Sequence, residues 1–191
     1  MAIRGCQGRR GRGFTLIELM LVVGIVGVLA ALALYGVRKY LVNAKTTEVR
    51  NAVGQMAKDA KAAYERETMV GTVLDLGTSS KVVNNLCTDA ATSVPDNISK
   101  VRAGKYQSVA TDWTSGNGVH KGWVCLRFAI TDPQYYMYDY KGSTGDSGTF
   151  SALGYGDLDG NGLTSTFSLK GQVNGGVVFV STNFFEETPD E

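Results

Sequence analysis

Histidine and proline are nearly absent from this sequence of 191 residues, which holds one His and three Pro. A single histidine, His120, supports neither a zinc set nor a Ser–His–carboxylate group, and no other catalytic constellation stands out. An enzyme is therefore not expected. No proline precedes Pro95, so nothing of that kind interrupts a helix in the first half of the chain. Residues 14–37 lack charge of either sign except at Glu18. A basic excess is missing too: net charge is +1, and beyond residue 13 the chain has 15 Lys and Arg against 18 Asp and Glu. That balance gives no direct nucleic-acid site. Cysteine is scarce at three, whereas the 24 glycines lie among aromatic and β-branched residues and predict tight turns between short strands rather than disorder.

What is present is concentrated at the start. The stretch "RRGRGFTLIELMLVVGIVGVLAALALYGV", residues 9–37, sets arginines directly against an apolar run interrupted only by Glu18. About 20 apolar residues cross the hydrocarbon core, so this run is long enough for a transmembrane helix. Arg4, Arg9, Arg10 and Arg12 hold the leading side in the cytoplasm, with Arg38 and Lys39 opposing weakly. The competing reading is a cleaved secretory signal with "AALALYG" at the cut. That reading leaves both "GFTLIE" and Glu18 unexplained.

The segment "GFTLIELMLVVGIVGVLAAL", residues 13–32, resembles the class III signal of type IV prepilins and type II secretion pseudopilins, and the close likeness extends to about residue 45. The resemblance implies a prepilin peptidase cut between Gly13 and Phe14, loss of a leader at 1–13, and N-methylation of the new Phe14 terminus. It implies an assembly role for Phe14 and Glu18. Four residues, about 6 Å of helix, separate the two. A carboxylate in the bilayer costs on the order of 2–3 kcal/mol unless it meets a cation. The α-ammonium of Phe14 on a neighbouring subunit is such a cation. The family further implies a homo-oligomeric helical filament, an inner-membrane single-pass precursor, and an assembly platform, ATPase and secretin. Its filaments serve adhesion, motility or DNA uptake. The alternatives are a pseudopilin of a type II secretion system and a non-polymerising membrane-anchored binding domain.

Beyond the hydrophobic helix at 14–37, Leu41, Ala44, Val49, Ala52, Val53, Met56, Ala60, Ala63 and Tyr64 recur at three- and four-residue steps. They predict an amphipathic continuation over 38–67, giving one helix of roughly 80 Å. Tyr35 and Gly36 stand where pilins carry a proline, which leaves open whether the helix melts around residues 27–36. A connector follows at 68–100, with a short helix expected at 82–86. Residues 101–191 read as an antiparallel β-sheet head, with strands in "KYQSVATDW", "GWVCLRFAI", "QYYMYDY", "TFSALGY", "LTSTFSLKG" and "GGVVFVSTNFF". The expected fold class is α+β, a long helix packed on an antiparallel sheet, and the family shares it. Trp113, Trp123 and Tyr135, Tyr136, Tyr138 and Tyr140 read as sheet and core aromatics.

Loss of the implied leader would remove Cys6 and leave Cys87 and Cys125, able to pair in an oxidising space. Two unpaired buried thiols are the other reading. "GDLDGNGLTSTF" places Asp157, Asp159 and Asn161 at alternate positions, with the Leu163 carbonyl as a further ligand of a weak calcium loop. The twelfth position holds Ser168 instead of glutamate, so a plain Asp/Gly/Asn turn is favoured over bound calcium.

Overall fold

The structure is a computed structural model, and it describes residues 13–66, 68–69, 75–79, 82–144 and 147–189. Residues 1–12, which contain the four arginines and Cys6, lie outside the described residues, as does part of the connector. The chain divides into two compact units, residues 1–41 and 42–191.

Helix α1 (Leu16–Glu65) has 50 residues. In the first unit its large apolar side chains are all at least half exposed, from Phe14 to Leu41. Among the described residues of that unit, no face of the helix is buried against another element. In the second unit one stripe is buried: Thr46, Val49, Val53, Met56, Ala57, Ala60, Ala63 and Tyr64. Leu41 and Ala44 are exposed, contrary to the expected apolar face. Thr46 takes their place, its hydroxyl donating to the Val42 carbonyl at 2.9 Å.

The connector departs from expectation. No helix forms at 82–86; β1 (Thr68–Met69) and β2 (Val82–Val83) pair antiparallel instead. A 3₁₀ turn at Ile98–Lys100 follows, then two short helices, α2 (Ala110–Thr114) and α3 (Gly122–Leu126). Both helices occupy segments expected to be strands. In "GWVCLRFAI" the apolar residues fit either period. The structure buries Trp123, Cys125, Leu126 and Phe128 and leaves Val124 partly exposed, and Arg127 ends the turn in the left-handed region at φ 63°.

The sheet proper begins at residue 137. Its strands are β3 (Met137–Gly142), β4 (Thr149–Gly156), β5 (Ser165–Asn174), β6 (Val177–Val180) and β7 (Phe185–Glu187). All pairings are antiparallel, in the order β3-β4-β5-β6, with β7 pairing the first part of β5. Gly175 and Gly176, at φ 59° and 78°, make the two-residue β5–β6 turn, where positive φ at both positions matches the strand twist. The fold class is α+β.

Alternation sorts the strands into two faces. Tyr138, Tyr140, Phe150, Ala152, Phe167, Leu169, Val173 and Val178 point into the core. Three inward glycines admit close neighbours: a Cβ on Gly154 would collide with Val49, one on Gly156 with Tyr136, and one on Gly171 with Phe150. Trp113, Trp123, Phe128 and Tyr138 extend the core toward the short helices through edge-to-face contacts at 5.1–6.4 Å. The expected core role of these aromatics holds, and Tyr136, Tyr138 and Tyr140 are wholly buried.

Candidate functional site: the processing and assembly segment

Gly13, Phe14 and Thr15 precede α1 and are not helical. Thr15 is the residue that starts the helix. Its hydroxyl accepts the Glu18 N–H at 3.3 Å, while its own N–H and hydroxyl both donate to Glu18 Oε2 at 2.8 Å. This reciprocal arrangement satisfies amide groups that a helix start leaves without partners. The Thr15–Glu18 spacing carries that signal in the sequence. The Gly13–Phe14 peptide bond therefore lies one residue before the cap, outside the helix. Phe14 is 81% exposed. Residues 14–37 are long and apolar enough to cross a membrane, with a window of mean hydropathy 2.7 in α1.

Cys87 and Cys125 are disulfide-bonded, with Cα atoms 5.7 Å apart and both residues buried. The bridge fastens the connector to α3. Around it, the Cys87 carbonyl accepts Tyr140 Oη at 3.3 Å, and the Cys125 carbonyl accepts the Arg66 guanidinium.

The loop at 157–163 is organised from inside. Asp157 is buried and accepts from Arg102 Nε at 2.9 Å, Gly160 N at 2.8 Å and Gly162 N at 3.1 Å. Asp159 accepts from the Asn161 backbone and side chain at 2.9 Å, and Asn161 Oδ1 accepts Leu163 N at 2.6 Å. Left-handed Gly160 and Gly162 carry the backbone past Arg102. Sequence reading missed Arg102, which lies 55 residues upstream of Asp157. The donor set expected for calcium is turned on itself here, with a guanidinium already against its most buried carboxylate. Among the described residues no group of three or more His, Cys, Asp and Glu converges. His120 is exposed and enters only through its carbonyl, which accepts Thr88 N at 3.0 Å.

The family model of the prokaryotic N-terminal methylation motif matches residues 8–34. In this segment the chain is similar to type IV pilins. The chain is 48% identical over 61 residues to the type IV major alpha-pilin of Moraxella bovis, covering 31% of this chain and 38% of that protein. It is 47% identical over 45 residues to the type IV major fimbrial protein FimA of Dichelobacter nodosus, 24% and 29% of the two chains. It is 51% identical over 58 residues to the type IV major pilin protein PilA of Myxococcus xanthus, 30% and 26% of the two. The matches thus span well under half of these relatives' own lengths. No solved structure matches the chain.

Proposed function

We propose that this protein is the structural subunit of a type IV pilus filament. The observation that carries the reading is a prepilin segment opening a helix whose apolar side chains, from Phe14 to Leu41, have no partner in their own unit. Such a surface needs lipid or other copies of itself around it. A prepilin peptidase cuts between Gly13 and Phe14, and Phe14 becomes the N-methylated terminus. The precursor spans the inner membrane once, with the second unit outside. An assembly ATPase and platform then draw subunits into a helical homo-oligomer, which leaves through a secretin where an outer membrane exists. Adhesion, motility and DNA uptake are properties of such a fibre.

Glu18 takes a second partner in this scheme. Its carboxylate caps its own helix and also offers a counter-ion to the Phe14 α-ammonium of the next subunit. The short span from helix start to carboxylate sets the register between copies.

Intact mass of the protein in material sheared from cells tests the proposal. The expected species begins at methylated Phe14 and is two hydrogens lighter than the reduced chain. A processed chain confined to the membrane fraction would favour a secretion pseudopilin. An unprocessed chain beginning at Met1 would sink the reading and leave a membrane-anchored domain that does not polymerise.

A further inference from the structure

Thr92, Ser93, Thr111 and Ser115 line one cleft of about 230 Å³ together with Tyr106 and Asp112. Pockets that bury drug-sized ligands run to about 300–1,000 Å³, so this one suits a single ring. Threonines in helices commonly turn their hydroxyls back onto the preceding turn, as Thr46, Thr47 and Thr114 do here. Thr92 and Ser93 lie outside any helix and Thr111 is in the first turn of α2, so that back-bond is not open to them. Among the described residues none of the four cleft hydroxyls is hydrogen-bonded to another group.

The charged groups around them are held in place. Asp112 Oδ2 accepts Tyr106 Oη at 2.8 Å and Val109 N at 3.0 Å, which leaves its other oxygen as an acceptor. Lys100 Nζ is engaged by Asp96 at 2.6 Å and stands 5.6 Å from the centre of the half-buried Tyr106 ring. The cleft therefore presents four unengaged hydroxyls, a fixed carboxylate and an aromatic ring without having to rearrange. Hydroxyls serve as both donors and acceptors, and a carboxylate accepts two O–H groups side by side. The ring supplies an apolar surface for a C–H face.

From this geometry we propose that the cleft binds one neutral pyranose ring of a carbohydrate. Charge sets the class of sugar. Asp96 and Asp112 outnumber Lys100, whose ammonium already has a partner, so a uronate meets net repulsion. The inference does not depend on the filament reading, because the cleft lies wholly within the second unit.

Saturation-transfer NMR on the full chain in phosphocholine micelles tests it, a detergent without a sugar headgroup. The probes are the methyl pyranosides of glucose, galactose and mannose, with glucuronate and glycerol alongside. Expected is transfer to at least one neutral pyranoside at millimolar concentration, with Tyr106 ring resonances shifting and those of Tyr135 still. Thr111→Val with Ser115→Ala, both on exposed positions, should weaken binding about tenfold as two hydrogen bonds are lost, with an unchanged melting curve. Three results would overturn the proposal. They are no transfer to any pyranoside, equal transfer to glycerol or glucuronate, or a shift that bypasses Tyr106.

Discussion

Glu48 is the residue whose setting is most at odds with its charge. It sits on α1 beneath the sheet, accepting Tyr135 N at 2.9 Å and Tyr138 Oη at 3.2 Å. Burial pushes its carboxyl above the usual range, with the two hydrogen bonds and nearby Lys105 pulling the other way. A raised value in the folded state means that this group favours folding most below its unfolded value, near about 4.3, and that the benefit fades as pH rises through the folded value. Glu48→Gln keeps an acceptor and removes the titration. The variant should match wild type near pH 4 and melt a few degrees higher at pH 7–8, read by circular dichroism across pH. Arg102 is the opposite case, a half-exposed cation serving a buried carboxylate. Arg102→Ala leaves Asp157 without its countercharge and should cost on the order of 3 kcal/mol in chemical denaturation. Added millimolar calcium should leave the wild-type midpoint unmoved, since Arg102 already holds the place of a cation.

Among the elements, α1 and β4 touch where Gly154 meets Val49 and Val53. Gly154→Ala should destabilise by about 1–3 kcal/mol through overpacking. Val49→Ala opens a cavity of its own, yet the double variant should recover part of the loss, a coupling that a double-mutant cycle in urea measures. The legibility of elements followed the length and regularity of their patterns. Strands β3 to β6 alternate over four to ten residues, and that period is hard to mistake. The segments that became α2 and α3 are five residues long. A turn and a half of helix samples too few positions to separate a period of 3.6 from one of 2. What decides them is tertiary: the Trp113–Trp123–Phe128 cluster and the bridge at Cys125. The segment at 13–32 was the easiest to read, because an apolar run of that length with one charge is a pattern carried by consecutive residues. Arg102 and the Tyr106 cleft were invisible, since each joins residues far apart in sequence that carry no local pattern.

For the whole molecule, the Cys87–Cys125 bridge spans 38 residues of sequence. In the chain-entropy model such a loop is worth roughly 3–4 kcal/mol. Replacing both cysteines by serine should lower the melting temperature of the second unit by well over five degrees, followed by near-ultraviolet dichroism of its buried tryptophans. An unchanged melt would mean that the connector is held by Tyr140, Arg66 and the strand-like bridges without it.

The inward glycines have a consequence for how such a chain can drift over generations. At Gly154, Gly156 and Gly171 the space for a side chain is already taken by Val49, Tyr136 and Phe150. On the outward face beside Gly171, Lys170 and Gln172 are exposed and bear no packing load. A substitution inside must be answered by another inside; a substitution outside needs no answer. Lineages that keep this architecture can therefore exchange half of each strand freely, presenting new chemistry on an old frame. Similarity to the Moraxella, Dichelobacter and Myxococcus proteins extends over only 45–61 residues.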